Sequence, residues 1–214
     1  MKKKKTNFKN LLERIETDIL SGKYHPRERL VETDMIERYG ATRAAIRKAL
    51  KELEIKHLIQ WVPNRGAMVS EPDKAEMQDI FQARLVLERF AIDNITVPLA
   101  KETLAQIAKH MEDYEKAVNS DNFSHHHTAN RMFHHSILLQ CGNKVIAEIV
   151  DNLKYRAHFW QQMIGRQKRF EQTLQEHRAM YDALAHGDLK ELKRLNTEHL
   201  SIGYENFLDD FKPK

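Results

Sequence analysis

Residues 41–53 read ATRAAIRKALKEL, and this stretch decides the fold of the N-terminal part of the chain. Thr42 is a residue type that caps helix N-termini, and apolar side chains follow it at the spacing of one buried helical face. These apolar side chains are Ile46, Leu50 and Leu53. The opposite face carries Arg43, Arg47 and Lys51. The pattern predicts an amphipathic helix with one apolar and one basic face.

The residues before this helix predict two more helices. An apolar helical pattern begins at Phe8, and Gly22 is suited to end it. A second, short helix is expected from Thr33 to Tyr39, followed by Gly40, whose backbone freedom allows a tight turn. Helices joined by such a turn are typical of a helix-turn-helix.

A β-hairpin is predicted directly after the third helix. The β-prone runs 58–62 and 67–69 enclose the turn sequence Pro63-Asn64-Arg65-Gly66. Three helices followed by a hairpin make a winged helix-turn-helix, in which the hairpin is the wing. Arg65 lies at the expected tip of the wing, where an arginine typically reaches phosphate or the minor groove. The same four residues also simply favour a turn.

The basic face of the third helix is suited to DNA. A helix fits the major groove, and Arg43 and Arg47 lie one turn apart, so both can enter the same groove. Each guanidinium matches the O6/N7 edge of guanine. Residues 1–70 contain 16 Lys and Arg against 9 Asp and Glu, whereas the whole chain has a net charge of only +4. The alternative is an ordinary solvated helix face.

The chain after Glu71-Pro72-Asp73 is predicted to form long amphipathic helices, without another strong strand candidate. The predicted helices are 74–95, 99–119, 122–140, 144–164, 167–186 and 189–211. Six such helices favour a bundle. The expected fold is therefore mainly α, with a winged helix-turn-helix domain at residues 1–71 and an all-α helical bundle at residues 72–214.

Composition argues against several classes of protein. A single cysteine, Cys141, cannot form an intramolecular disulfide, and the basic start MKKKK is not followed by the apolar run of a signal peptide. No stretch approaches the roughly 18 apolar residues that a membrane span needs. We therefore expect a soluble, cytoplasmic protein without a membrane partner.

Four polar side chains in the predicted bundle could converge on a metal ion. Asn130 and His134 are four residues apart on one predicted helix and so share a face, while His177 and His199 lie on two later helices. One amide oxygen and three imidazoles suit zinc, nickel, manganese or iron at a site with open positions for a carboxylate ligand. The alternative is that these histidines are packed core residues or solvated.

The N-terminal segment resembles the GntR family of bacterial transcription regulators. Residues 41–50 followed by 63–69 look like that family's V-S-R-x-P-V-R-E-A-L and N-R-G-x-x-V motifs, and residues 29–32 match its R-L-x-E. Ala45 and Lys48 depart from the usual proline and glutamate. The resemblance implies DNA-contact roles for Thr42, Arg43, Ala44, Arg47, Arg65 and Gly66.

The C-terminal segment resembles the FCD ligand-binding domain of the FadR subfamily of GntR regulators. The residues that carry this resemblance are Asn130, Phe133-His134, Cys141-Gly142-Asn143, Glu176-His177-Arg178, Gly187-Asp188 and His199-Leu200. In many members an Asp and three His hold a divalent metal, and the effector is often a small organic acid. These ligand roles fall on Asn130, His134, His177 and His199, with Asn130 replacing the usual Asp. Six helices rather than seven make the VanR-like branch the closer comparison.

Two arginines of the predicted bundle are candidates to bind the effector. Arg84 and Glu88 fall where the family has an R-x-x-x-E pair on the first bundle helix, and Arg156 lies on the fourth helix. A guanidinium can hold a carboxylate through two parallel hydrogen bonds. Each arginine could instead form an ion pair at a helix interface.

These expectations combine into a ligand-responsive, DNA-binding transcription regulator that is not an enzyme. One winged module contacts few bases, so a homodimer on a pseudo-palindromic operator in double-stranded DNA is expected. Repression relieved by a small organic acid, bound at or near a divalent metal in the bundle, is the favoured mode. Two alternatives are a regulator whose metal-free bundle only dimerises, and a metal-dependent helical-bundle enzyme.

Overall fold

The chain begins with three helices that pack around an apolar centre. In the computed structural model, which describes residues 8–71, 73–119, 123–163 and 170–209, they are α1 (Phe8–Leu20), α2 (Glu32–Tyr39) and α3 (Arg43–Ile55). The centre is filled by fully buried side chains of α1 and α3: Leu11, Ile15, Ile46, Leu50 and Leu53. The apolar face predicted for the third helix is therefore the face that packs.

A two-stranded antiparallel hairpin follows α3, as predicted. Strand β1 (Ile59–Val62) pairs with β2 (Gly66–Val69), so that Ile59 lies opposite Val69 and Val62 lies opposite Gly66. The turn closes through a hydrogen bond of 3.0 Å from Arg65 N to Val62 O. Gly66 has φ +83°, a backbone conformation that favours glycine.

The wing also has a third edge that the sequence patterns did not indicate. The backbone N–H of Leu30 donates to Ala67 O, and that of Val69 donates to Glu28 O, both at 2.9 Å. Residues 27–30 therefore run antiparallel beside β2 and form a bridge to it. Strand β2 has backbone partners on both sides, which fixes the base of the wing against the segment that precedes α2.

The described remainder of the chain is helical. The six helices are α4 (Lys74–Asp93), α5 (Lys101–Val118), α6 (Phe123–Leu138), α7 (Lys144–Met163), α8 (Phe170–Ala185) and α9 (Leu189–Asp209). All six predicted helices are confirmed, although the predicted ends at residues 122, 164, 167–169 and 210–211 lie outside the described residues. Helix α6 stops at Leu138 because a 3-10 turn, Leu139–Cys141, follows it and Gly142 then takes φ +73°. Half of the capping box predicted before α9 is present: Glu191 N donates to Asp188 Oδ1 at 2.9 Å, but Asp188 N donates to Ala183 O rather than to the Glu191 side chain.

The bundle core lies where α4, α5, α6, α8 and α9 meet. It is built from Ile92, Ile107, Phe133, Met180 and Leu192, one from each of these helices, with further apolar neighbours. Internal contacts divide the chain into two compact units. One ends at Asp73 and also includes the end of α7 from residue 158, and the other contains residues 74–157 with α8 and α9. Among the described residues, no helix combines the length and apolar character needed to cross a membrane.

Candidate functional site

Helix α3 presents the residues that the sequence singled out for DNA on its solvent side. Thr42 caps the helix, since its Oγ1 accepts a hydrogen bond of 3.2 Å from Ala45 N. Arg43, Ala44 and Arg47 are exposed, while Ile46 and Leu50 on the opposite face are fully buried. The helix is therefore held by its apolar face, and its basic face is open to a partner.

Glu32, the first residue of α2, forms ion pairs with two arginines on the basic face of α3. Arg47 Nε lies 2.8 Å from Glu32 Oε1 and 3.0 Å from Oε2, and Arg43 Nε lies 4.0 Å from Oε2. The Arg47 side chain is nevertheless 61% exposed, against 24% for Glu32. Both guanidinium groups thus share one carboxylate at the surface. The sequence reasoning quoted Glu32 only as part of a motif and assigned it no role.

Arg65 and Gly66 lie where the wing turns. Arg65 is exposed at the tip, and the positive φ of Gly66 lets the backbone reverse there without a side chain in the way. An exposed arginine on such a turn can reach a phosphate or the minor groove of DNA.

Three of the four predicted metal ligands converge in the bundle. His134 on α6, His177 on α8 and His199 on α9 place one ring nitrogen each within 4.8 Å of one another. The Nε2 atoms of His134 and His177 are 3.1 Å apart. The His177 ring stacks on Phe133 at 4.4 Å between centroids and also contacts Tyr114. These three histidines, called the histidine cluster below, are held in place by the surrounding aromatic core.

Two of the three histidines in the cluster have the protonation state that metal ligands need. Burial, reinforced by the charge of Lys154, lowers the pKa of His134 well below its ordinary value. Burial also lowers the pKa of His199, although Glu176 acts in the opposite direction. Both rings are therefore neutral near neutral pH, with a lone pair available. His199 Nδ1 lies 2.6 Å from Glu176 Oε2, an arrangement that typically orients a ligating histidine.

Asn130 supplies the fourth candidate ligand. It lies on α6 one turn before His134, so the two residues share a helix face. Its Oδ1 atom is buried and accepts no hydrogen bond from any described residue. A buried amide oxygen without a partner is costly, and a bound cation would satisfy it. The residues of this site therefore fit a metal ion, with an amide oxygen in place of a carboxylate.

Both arginines proposed for effector binding already have acidic partners. Arg84 Nε donates to Glu88 Oε1 at 2.9 Å, and Asn196 Nδ2 donates to Glu88 Oε2 at 3.1 Å. Arg156 forms an ion pair with Glu76. Burial would raise the pKa of the fully buried Glu88, but the charges of Arg84 and Lys154 outweigh burial and lower it. Glu88 is therefore a carboxylate, and it neutralises Arg84.

Lys154 is a buried cation that the sequence reasoning missed. It is 7% exposed, and its Nζ atom has no hydrogen-bond partner among the described residues. Ala147, Val150 and Lys154 follow one another along the buried face of α7. The sequence did contain a signal for this burial, because Lys154 continues the apolar helix face formed by Ala147 and Val150. It was overlooked because lysines on helices are usually solvated.

Comparison with known proteins agrees with both halves of the structure. Residues 8–69 match the family described as bacterial regulatory proteins, gntR family, and residues 79–201 match the FCD domain. The chain is 25% identical over 182 residues to the uncharacterized HTH-type transcriptional regulator YdhC of Bacillus subtilis, covering 84% of this chain and 78% of that protein.

A further relative and a solved structure extend the comparison. The galactonate operon transcriptional repressor of Escherichia coli is 26% identical over 193 residues, which cover 79% of this chain and 83% of that protein. The crystal structure of a GntR transcriptional regulator from Rhodococcus sp. RHA1 superposes with a TM-score of 0.81 at 20% identity, over 96% of this chain and 99% of that one. The likeness to the solved structure supports the fold.

Both family matches are to domains of transcription regulators. The two relatives described above are transcription regulators as well, and neither is an enzyme. The winged helix-turn-helix with its exposed basic helix and the helical bundle with its buried polar site have the arrangement expected of such a protein. The chain belongs to the GntR family of bacterial DNA-binding transcription regulators, with an FCD domain as its C-terminal part.

Proposed function

We propose that this protein is a repressor that binds a pseudo-palindromic operator as a homodimer and is controlled by a small organic acid bound at or near a divalent metal in the bundle. The observation that carries this proposal is the histidine cluster, buried in the helical core, with the unpartnered amide oxygen of Asn130 one turn before His134 on α6. We take residues 1–71 as the DNA-binding domain and residues 72–214 as the effector-binding and dimerisation domain. Pro72 itself lies outside the described residues.

The DNA-binding half of the proposal rests on the exposed basic face of α3. Its contacts are Thr42, Arg43, Ala44, Arg47, Arg65 and Gly66. The arginines of α3 enter the major groove and read base edges, while Arg65 contacts the backbone or the minor groove. The ion pair of Arg47 with Glu32 is exposed, so exchanging Glu32 for DNA costs little free energy.

The metal is held by Asn130, His134, His177 and His199. Three imidazoles and one amide oxygen favour zinc, nickel, manganese or iron over calcium or magnesium, which prefer oxygen ligands. When bound, the metal supplies a Lewis-acid centre to which an acid can attach through oxygen. The aromatic contacts of His177 and the carboxylate beside His199 keep these two rings oriented for that role.

An acid is the favoured effector because the bundle buries Lys154, whose Nζ atom has no hydrogen-bond partner among the described residues. The charges of Lys154 and Arg84 both act to lower the pKa of His134 and His199. The relative named for the galactonate operon makes sugar acids the first compounds to test. Binding of the acid favours one of two states of the dimer that differ in operator affinity.

The dimer interface is proposed to lie on α4 and α7. Val86 and Phe90 on α4 and Val145 and Ile149 on α7 are large apolar side chains that are 43–68% exposed. The two helices are neighbours, because Ala91, Ala147 and Val150 share one core cluster. Exposed apolar patches of this kind mark association surfaces. A second copy of this chain is the occupant, since a two-fold operator requires a two-fold protein.

The metal is tested by thermal unfolding of the full chain after treatment with a chelator. Adding Zn²⁺, Ni²⁺ or Mn²⁺ at 100 times its dissociation constant is expected to stabilise the fold by about 2.7 kcal/mol. His134→Ala should abolish this rise, whereas His186→Ala, which removes an exposed histidine, should leave it intact. No rise with any metal would favour a metal-free bundle that only dimerises.

DNA binding is tested with a duplex selected from random-sequence DNA by the wild-type protein. Arg43→Ala or Arg47→Ala should weaken binding by about 1–3 kcal/mol per half-site, or about 2–6 kcal/mol for a dimer, because a bidentate base contact is lost. Arg194→Ala is the matched control, since it removes an exposed, ion-paired arginine from the bundle. Unchanged gel-shift affinity in both α3 variants would refute the assignment of α3.

A further inference from the structure

Lys154 has an environment that a lysine rarely occupies. Its side-chain amine is removed from water, and none of the described residues accepts a hydrogen bond from it. A buried charge of this kind is costly unless it is paired. Burial accordingly lowers the pKa of Lys154 well below its ordinary value, and nearby Glu88 offsets this only in part. The bundle would be more stable with an apolar side chain at this position.

The two carboxylates whose charges act on Lys154, Glu88 and Asp151, each contact other residues. Glu88 accepts hydrogen bonds from Arg84 through one oxygen and from Asn196 through the other. Asp151 Oδ2 pairs with Arg131 at 2.9 Å and lies 3.0 Å from His135 Nδ1, while the buried Asp151 Oδ1 has no hydrogen-bond partner among the described residues. Each of these carboxylates thus has an arginine partner, and Lys154 Nζ donates to neither of them.

The position of Lys154 on α7 places it on the side of the proposed ligand site. Asp151, one turn before Lys154, contacts Arg131 and His135 on α6, and His135 directly follows the proposed ligand His134. Lys154 projects from the buried face of α7, whereas the cluster histidines come from α6, α8 and α9. A metal ion at the cluster would add further positive charge to the same interior. An anion is the ligand that balances both.

We infer that Lys154 binds the carboxylate of the acidic effector and is the residue that makes the site select anions. This inference rests on the proposed acid-binding function and adds a residue to it. Arg84 then keeps Glu88 in place, and Arg156 remains paired with Glu76 on α4. The protein gives up stability in the acid-free state, and binding of a carboxylate at Lys154 restores it.

The test compares Lys154→Met, which removes the charge at similar length, with Lys154→Arg, which retains it. Lys109→Met, on the exposed face of α5, is the matched control. Full-length protein, with and without Zn²⁺, is titrated with acetate, L-lactate, succinate and D-galactonate by calorimetry and thermal unfolding. For each acid that binds the wild type, Lys154→Met should lose at least about tenfold in affinity, because a charge-assisted hydrogen bond is removed. Lys154→Arg should recover part of it, and Lys109→Met should match the wild type.

The acid-free proteins provide a second, independent readout. Lys154→Met should have a higher Tm than the wild type, because an unpaired buried cation is removed. A lower Tm, or failure to fold, would show that Lys154 is a structural partner of Glu88 and would overturn the inference. Acid affinity within about twofold of the wild type would also overturn it. If no acid binds the wild type, the proposed effector class itself fails, and the inference fails with it.

Discussion

Arg47 and Lys154 are both cations at proposed ligand sites, but their surroundings differ. Arg47 is 61% exposed and its Nε contacts both oxygens of Glu32, whereas Lys154 is 7% exposed and its Nζ has no partner among the described residues. The exposed pair contributes about 0–1 kcal/mol, because water solvates both groups when they separate. The buried amine loses its hydration without gaining a hydrogen bond to any described residue, which costs several kcal/mol.

This difference teaches how each region can respond to its ligand. The DNA-binding surface is stable without DNA, and Arg47 can exchange a carboxylate for a base edge or a phosphate with little change in free energy. The bundle, in contrast, buries the Lys154 amine without a hydrogen-bond partner among the described residues, and a bound anion would supply one. Ligand binding is therefore expected to stabilise the bundle strongly, and the following substitutions test this contrast.

The largest effect is expected from removing the buried carboxylate. Glu88→Gln should lower the free energy of unfolding by about 3–5 kcal/mol, because Arg84 and Lys154 are left without a buried counter-charge. Urea unfolding at neutral pH measures the loss. Adding Lys154→Met to Glu88→Gln should recover part of it. A loss below about 1 kcal/mol would contradict this prediction, because Glu88 would then contribute no more to stability than an exposed ion pair does.

The pH dependence of stability should reveal the lowered pKa of Lys154. Its pKa in the folded protein lies well below the ordinary 10.5, so between these two values the unfolded chain binds a proton that the folded chain does not. Stability from this group therefore rises with pH across that window, by at most about 1.4 kcal/mol per pH unit. The difference in unfolding free energy between Lys154→Met and the wild type should shrink as pH increases. A difference independent of pH would contradict the lowered pKa.

Two helix caps allow a matched comparison between the regions. Thr42→Ala and Asp188→Ala each remove a side-chain cap, from α3 and α9, and each should cost about 1 kcal/mol of stability. Only Thr42→Ala should also weaken operator binding, since Thr42 is a proposed DNA contact. Thermal unfolding and gel shifts on both variants measure the two effects. Equal losses of DNA affinity would show that Thr42 acts only as a cap.

The smallest effect on stability is expected from breaking the exposed ion pair between Glu32 and Arg47. Glu32→Gln should change the free energy of unfolding by less than about 1 kcal/mol. It should raise affinity for non-specific duplex DNA a few-fold at low salt, because a carboxylate beside Arg43 and Arg47 no longer repels phosphates. Fluorescence anisotropy with a random-sequence duplex measures this. A fall in affinity would instead identify Glu32 as a positioning residue for Arg47.

The fold was largely predictable because its elements have strong local patterns. Periodic apolar residues, Thr42 as a cap and the Pro63–Gly66 turn predicted α3 and the wing, and six amphipathic segments predicted the bundle helices. Helix ends were less accurate, as at Leu138, where a 3-10 turn replaces the last predicted residues. The pairing of residues 27–30 with β2 was missed because short backbone bridges leave no side-chain pattern.

The sequence by itself determined which residue types lie on which helix face, because helical periodicity is a local property of the chain. It therefore indicated the basic face of α3 and the histidines of α6, α8 and α9. Only the tertiary structure decided which charges are balanced, because Glu32 with Arg47, Glu88 with Asn196 and Asp151 with Arg131 are partners from different helices. Their contacts depend on how the helices pack. Lys154 acquires its importance in the same way, since burial by other helices leaves the amine of an ordinary lysine without a hydrogen-bond partner among the described residues.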